Sequence, residues 1–355
     1  MEASTGQLPR LWRDRLRKAA ASSWTRVVVT AVLLGLVATR VDWTTAADRL
    51  AEGSWALFAG AVGVLFVSQL IAALRWRLLL NGAGLNRPLL VVVRAYLIGV
   101  FANSFMPTAF GGDFARAWLL ARPGPPLVRA LLSVVVDRFL AFWCLIALAW
   151  LSLPADPSVV PSSLAIALLA LTAAGLAASA LAIWFALHGG RSFASRLPER
   201  VRGWARETRE TLRLYNGEPR MLATATMLGL VFQGLTVLAM WIVAKAINVE
   251  IPFALLAVVL PLVLAITLVP ISIAGFGVRE GGMVLLLGAA GYSATEATLL
   301  SLMGVAALVV SSLPGAAAMM LGHMFPSRDE LEATEETLRE IDRPTAQWPD
   351  AGARP

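Results

Sequence analysis

Long apolar runs separated by short polar connections dominate the hydrophobic pattern of this chain. Apolar stretches of about 18 residues or more are typical of membrane helices, because about 20 residues cross a hydrocarbon core roughly 30 Å thick. The pattern therefore predicts an all-α, polytopic membrane helix bundle. The apolar runs cover residues 24–39, 54–74, 89–106, 109–121, 127–153, 162–187, 221–246, 253–269, 278–291 and 294–321.

Basic residues in the connections predict the orientation, since loops rich in lysine and arginine stay in the cytoplasm. The basic arm at residues 1–23 is predicted to be cytoplasmic. Arg75 and Arg77 are interpreted as loop arginines at the cytoplasmic face that mainly set the topology. Tryptophans at the ends of runs, Trp76 among them, are expected at the level of the lipid headgroups.

The remaining connections alternate in the same way. The charge-balanced connection 40–53 and the short connections 154–161 and 248–252 are predicted to be external. The connector 191–219 is rich in arginine and is predicted to be internal, as an amphipathic helix on the membrane surface or as a solvated connector. The polar tail 325–355 is predicted to be internal and disordered beyond about residue 342.

Two apolar stretches, 89–121 and 253–291, cannot simply cross the membrane. The chain is predicted to be internal at Arg87 and internal again near Arg129, so the first stretch must enter and leave by one face. The same reasoning places both ends of the second stretch outside. Each stretch is therefore predicted to be two segments joined by a break, as a re-entrant hairpin or a pair of tilted helices.

Both breaks combine a proline, a pair of glycines and charged residues. Proline stops a helix, and glycine lets the chain turn and lets backbones approach closely. Two interrupted segments in halves of opposite topology indicate an inverted-repeat transporter whose substrate site lies at the breaks, although proline and glycine are also common in membrane helices. The halves are predicted at about 54–187 and 220–322. The break residues are Asn103, Pro107, Gly111, Gly112, Asp113 and Arg116, then Pro270, Gly275, Gly277, Arg279 and Glu280.

Charged residues inside apolar runs add to this candidate substrate site. Asp137 and Arg138 lie within the run 127–153, where a charge costs on the order of 3 kcal/mol. One interpretation is a polar cavity whose arginines bind an anionic headgroup, because guanidinium matches phosphate with two parallel hydrogen bonds. Arg279, with either Arg116 or Arg138, would hold the headgroup. Glu280 and Asp137 would balance these charges or couple to protons.

The alternative is structural pairing, for example of Asp113 with Arg116 at helical spacing. Other chemistries are not expected. The formal net charge of +7 lies in short loops beside apolar runs, so membrane lipids rather than nucleic acid are the predicted partners. A lone Cys144 and the distant His188 and His323 offer no metal site, and no phosphate-binding loop is present, so no cofactor is expected. The oligomeric state stays open, and a homodimer is allowed.

The order and spacing of these motifs are similar to a known family. The run from Arg75 through Asn103, Pro107 and Gly111-Gly112 to Asp137-Arg138, followed by Pro270 and Gly275-Phe-Gly-Val-Arg-Glu280, resembles the lysylphosphatidylglycerol synthase transmembrane region, also called flippase-like. The likeness covers about residues 24–324. It implies a lipid-translocating domain of about eight helical segments in two inverted repeats.

The resemblance implies a flippase for an anionic or modified phospholipid, or a polyprenol-linked lipid, in a bacterial inner membrane. The arginine distribution predicts that both termini are cytoplasmic. Bifunctional relatives carry a soluble synthase domain, which is expected to be missing here. The chain is therefore not expected to be an enzyme, and a separately encoded lipid-synthesising enzyme is an expected partner. The alternatives are a membrane-embedded transferase that uses Asp113 on a lipid-linked substrate, and a non-catalytic partner of a lipid-modifying enzyme.

Overall fold

The computed structural model describes residues 28–105, 111–121, 125–153, 160–188, 199–267, 272 and 275–320. Helices make up nearly all of these ranges, and no strand occurs in them. The helices are α1 (Val28–Ala38), α2 (Trp43–Ala51), α3 (Trp55–Gly82), α4 (Leu89–Phe105), α5 (Gly111–Leu120), α6 (Pro125–Ser152), α7 (Ser162–His188), α8 (Glu199–Asn216), α9 (Pro219–Ala246), α10 (Phe253–Thr267), α11 (Val278–Gly288) and α12 (Ala294–Met320).

Five of the helices, α3, α6, α7, α9 and α12, are long and apolar enough to cross a membrane. Helices α1 and α2 are bent by 81° at a short break and make a sixth span if counted together. Asp42 caps α2 at this bend by accepting hydrogen bonds from the backbone of Thr44 and Thr45. The predicted all-α, polytopic membrane bundle is confirmed.

The centre of the bundle is the antiparallel pair α3 and α9. At one end, the Ser54 backbone N–H donates a 2.8 Å hydrogen bond to the Ala246 carbonyl. At the other, the Tyr215 hydroxyl donates a 2.8 Å hydrogen bond to the Leu79 carbonyl, and burial raises the pKa of this phenol. We call the Leu79 side, which also carries Arg87 and Arg129, the basic end, and the Ser54 side the opposite end.

The amphipathic helix α8 lies at the basic end, within the connector that the sequence predicted. Glu207 accepts a hydrogen bond from Arg129 of α6, and Tyr215 holds the last turn of α8 against α3. Leu212 and Leu214 remain exposed on the same helix. The connector therefore contains a helix that is fixed to the bundle at two points.

Helices α4 and α5 form a hairpin that enters and leaves at the basic end. Arg87, just before α4, donates a 3.1 Å hydrogen bond from Nε to the carbonyl of Leu120, the last residue of α5. At the far end of the pair, the Gly112 N–H donates a 2.8 Å hydrogen bond to Asn103 Oδ1. The stretch 89–121 therefore returns to the end where it began, as the distribution of arginines predicts.

Helices α10 and α11 form a second hairpin, which enters and leaves at the opposite end. The hydroxyl of Tyr292, after α11, donates a 2.8 Å hydrogen bond to the carbonyl of Glu250, before α10. Deeper in the hairpin, a Cβ on Gly282 would lie 3.5 Å from Ile266 Cδ1 of α10. The two broken stretches therefore open at opposite ends of the bundle.

Glycine allows the two helices of the first hairpin to touch. A Cβ on Gly112 would overlap the carbonyl oxygen of Gly99 and lie 2.8 Å from the Asn103 backbone nitrogen. A Cβ on Gly99 would lie 2.9 Å from the Gly112 carbonyl oxygen. No side chain fits between these backbones, so the glycine pair sets the distance between α4 and α5.

The structure corrects two interpretations made from the sequence. Helix α3 continues to Gly82, beyond the predicted limit at residue 74, because the helical ladder does not stop where hydropathy falls. Arg75 therefore lies inside the bundle, with its side chain 1% exposed, and is not a loop arginine. Trp76 is fully buried rather than at headgroup level. The connection 40–53, which the sequence analysis predicted to be external, contains helix α2.

Several predicted features lie outside the described residues. They are the N-terminal arm 1–23, Pro107, Pro270 and the tail 325–355.

Replacing Gly112 with alanine tests the close contact between α4 and α5. We expect Gly112→Ala to lower the free energy of unfolding by about 1–3 kcal/mol, because a methyl group overpacks the contact. Gly281→Ala is the matched control, since its Cβ meets no atom within 4 Å in helix α11. Thermal unfolding in detergent measures both variants, and equal stability of the two would contradict the contact.

Candidate functional site

Five charged side chains from three helices meet inside the bundle beside the first hairpin. Arg75 comes from α3, Asp113 and Arg116 from α5, and Asp137 and Arg138 from α6. We call this group the charged network. The sequence predicted four of its five members as site residues and missed Arg75.

Two aspartates bridge the three arginines. Asp137 accepts from Arg75 Nε at 2.8 Å and from Arg116 Nη2 at 3.0 Å, one arginine on each carboxylate oxygen. Asp113 accepts from Arg138 Nε at 2.8 Å and Nη2 at 3.0 Å, which is the bidentate geometry that guanidinium favours. The network therefore ties α6 to both α3 and α5.

The network is buried and formally carries one excess positive charge. Three arginines face two aspartates, and every member except Arg138 is almost inaccessible. The Arg138 side chain is 52% exposed. A buried charge costs several kcal/mol unless it is paired and hydrogen-bonded. An excess positive charge in this position therefore favours a further anion.

Unpartnered donors point the same way. Among the described residues, Arg75 Nη1 and Arg116 Nε and Nη1 are buried without a hydrogen-bond partner. Arg116 Nε lies 3.2 Å from Asp113 Oδ1, but the two atoms are not aligned as a hydrogen bond. Buried donors normally find acceptors, so this part of the network lacks one.

Aromatic rings hold the buried arginines in place. The Arg116 guanidinium lies between two rings, with its Cζ 4.5 Å from the Trp76 ring centre and 4.7 Å from that of Tyr96. The Trp76 indole N–H donates a 3.0 Å hydrogen bond to Ser133, which fixes the ring. Arg75 lies 5.2 Å from the ring of Phe232. These contacts compensate part of the lost hydration of the arginines.

Arg75, Trp76 and Tyr96 belong to this site although the sequence pattern did not predict them there. Each of the first two was assigned to the membrane surface, because it follows the predicted end of an apolar run. The signal that could have found them is the apolar segment Leu78–Leu80, which continues the run beyond the charge. Tyr96 has no such signal within its own run.

Asn103, Gly111 and Gly112 shape the start of α5. Gly111 is its first residue, and Asn103 accepts the Gly112 N–H that would otherwise have no partner in the helix. These residues place Asp113 and Arg116 on the face of α5 that points into the bundle. Their described contacts are with the protein itself, and a role in binding substrate remains a prediction.

The second break has a different chemistry. Glu280 is fully buried and accepts from the Gly277 N–H at 2.6 Å, from Arg279 Nε at 3.1 Å and from Ser301 at 3.2 Å. Gly275 and Gly277 have φ values of +77° and +81°, which favour glycine, and a Cβ on Gly277 would lie 2.6 Å from Leu33 Cβ. The acid and the arginine at this break form a neutral pair.

Among the described residues, no hydrogen bond or ion pair joins the charged network to Arg279 and Glu280. Helix α12 contacts both hairpins instead. Its Ser301 binds Glu280 of α11, and its Gly315 lies directly against the Leu97 backbone of α4. The predicted site residues therefore form two groups that share one supporting helix.

The arrangement offers guanidinium groups and carboxylates, and no ready metal site. Within the described ranges, no group of three histidine, cysteine or acidic side chains could hold a metal ion. Guanidinium groups in a partly exposed, apolar setting suit an oxyanion such as a phosphodiester.

Comparison with known proteins identifies a family for nearly the whole chain. A model of the family described as "Lysylphosphatidylglycerol synthase TM region" matches residues 23–315. The matched range includes both hairpins and the charged network. A search of curated proteins finds no match.

Removing one bridging carboxylate tests how strongly the network holds the fold. We expect Asp137→Asn to lower the free energy of unfolding by about 3–5 kcal/mol, because two buried arginines lose their counter-charge. Glu250→Gln is the matched control, since this exposed acid lies 3.8 Å from Lys245 and such pairs contribute about 0–1 kcal/mol. Unfolding in detergent compares them, and a small loss in Asp137→Asn would refute the structural role.

Proposed function

We propose that this chain, which belongs to the lysylphosphatidylglycerol synthase transmembrane-region family, is a flippase that moves an anionic or modified phospholipid, or a polyprenol-linked lipid, across the bilayer. The match of the family model to residues 23–315 and the long apolar helices make it a multi-pass membrane protein. The observation that carries the proposal is the charged network with its excess positive charge.

The depth of the network suits a lipid headgroup in transit. Arg138 lies about 13 Å along the axis of α6 from Arg129 and about 21 Å from Ser152, so it is near the middle of the span. A charge at this depth is costly and usually belongs to a transport pathway. A headgroup phosphate that crosses the bilayer needs a cation at this level.

The two hairpins support transport rather than static binding. One opens at the basic end and the other at the opposite end, as two halves of an inverted repeat would. We propose that the basic end faces the cytoplasm of a bacterial cell, because arginine-rich connections stay on that side. Both termini then lie in the cytoplasm.

A transferase is the less favoured candidate. A catalytic carboxylate must be free to accept a proton or attack a substrate. Both oxygens of Asp113 instead accept hydrogen bonds from Arg138. We therefore propose translocation without covalent change, with any modified lipid supplied by a separate enzyme.

Reconstitution into vesicles tests the flippase. The purified chain is placed in vesicles with a phospholipid that carries a fluorophore on its headgroup, and an impermeant quencher outside reports transfer between leaflets. We expect transfer with the wild type and at least a tenfold lower rate with Arg138→Gln, because the headgroup loses its cation. Arg40→Gln, at an exposed position in the turn after α1, should transfer lipid at the wild-type rate.

Two results would count against the flippase. One is a covalently altered lipid in the mass spectrum after incubation, which supports the transferase. The other is an unchanged transfer rate in Arg138→Gln.

A further inference from the structure

We infer that Arg138 is the docking site for one phosphate group, reached sideways from the lipid between α5 and α6, and that Asp113 occupies this site as a built-in substitute when no lipid is bound. When the phosphate arrives, the Asp113 carboxylate moves from Arg138 to Arg116. This inference rests on the proposed function, and names the group that receives the headgroup.

The first observation is the exposure of Arg138 at mid-depth. Its side chain is 52% exposed, and the neighbouring positions on α6 are apolar and exposed, with Val135 at 61% and Phe139 at 46%. This surface is therefore the lipid-facing side of α6, where hydrocarbon cannot solvate a guanidinium. A lipid phosphate is the anion that can reach it from there.

The second observation is how Asp113 binds Arg138. The carboxylate uses the Nε–Nη2 edge of the guanidinium, so Nη1 points away from the carboxylate. A phosphodiester presents two oxygens with similar spacing to a carboxylate and the same single negative charge, and binds the same edge. Asp113 therefore holds Arg138 in the geometry that a phosphate would take.

The third observation is that Asp113 has a second partner within reach. Arg116 Nε lies 3.2 Å from Asp113 Oδ1 without an aligned hydrogen bond, and both Nε and Nη1 of Arg116 lack acceptors. A small rotation of the carboxylate toward Arg116 would give these donors an acceptor. The displaced carboxylate therefore does not remain unpaired.

The charges also balance in the bound state. Three arginines and two aspartates leave one positive charge, and the single negative charge of a phosphodiester neutralises it. Phe114 and Trp118, stacked at 5.9 Å, are exposed on α5, the helix that carries Asp113, and offer apolar surface suited to the rest of a lipid. Arg279 is already paired with Glu280 and is not needed for this site.

The inference predicts effects of opposite sign for the two partners. Asp113→Asn removes the competing anion, so phosphate should bind at Arg138 more tightly. Arg138→Gln removes the site, so binding should be lost. Asp113→Glu keeps the competing charge and should bind with nearly wild-type affinity. A merely structural Asp113 would instead weaken binding when it is replaced.

The test measures lipid binding by the full chain in a non-ionic maltoside detergent. Native mass spectrometry counts phosphatidylglycerol bound per protein as its concentration rises. We expect half-saturation at least threefold lower in Asp113→Asn and at least tenfold higher in Arg138→Gln. Glu250→Gln, at the opposite end, should match the wild type. Diacylglycerol with the same acyl chains should not bind at this site.

Inorganic phosphate separates the two sources of the anion. If the site takes a lipid, millimolar phosphate should not displace phosphatidylglycerol. Displacement would show a site for free phosphate and would overturn the lipid assignment. Each variant is first checked for wild-type thermal stability. If Asp113→Asn does not fold, Asp113→Glu is compared with Arg138→Gln instead. Asp113→Glu should then bind like the wild type, and Arg138→Gln should not bind.

Weaker binding in Asp113→Asn, or undiminished binding in Arg138→Gln, would overturn the inference. These outcomes are distinct from failure of the flippase. If the variants change binding in the expected directions but the wild type transfers no lipid, the phosphate site at Arg138 stands and the flippase proposal fails. If the wild type transfers lipid but the variants change binding in the opposite directions, only the phosphate site at Arg138 is refuted.

Discussion

The pairing of buried charges around α5 is the interaction on which the rest of the site depends. Asp113 and Arg116 leave water only because Arg138 and Asp137 meet them inside the bundle. Each uncompensated charge would cost several kcal/mol, so α5 cannot shift far without replacing these partners. The close contact of Gly112 with α4 supports this pairing, because it holds α5 within reach of the charged residues on α6.

The two hairpins share an architecture but differ in their electrostatics. In the first, charges pair between three helices and leave an excess positive charge. In the second, Arg279 and Glu280 pair as neighbours in the chain, and Glu280 also caps the start of α11 through the Gly277 N–H. The first hairpin has the chemistry for an anion, whereas the second is locally neutral and well anchored. Helix α12 packs against both and keeps them in one body.

The sequence was sufficient for the long apolar helices, the positions of the two breaks and four of the five residues of the charged network. Hydropathy locates long apolar helices well, and arginines in the connections revealed that 89–121 returns to its own side. The features that the sequence did not predict are those that depend on tertiary contacts. Arg75 resembled a surface arginine because its partner, Asp137, is distant in sequence. Which arginine pairs with which aspartate, and that Arg279 stays apart from Arg138, follow from packing that no local pattern encodes.

The short length of α5 has a consequence for how this chain can vary. Asn103 fixes its first turn, and Asp113 and Arg116 follow on its inward face. One inserted residue would rotate everything after it by about 100° and turn the arginine away from its partners. An insertion or deletion within α5 should therefore destroy the network, whereas exchange of the outward Phe114 for another apolar residue should leave it intact.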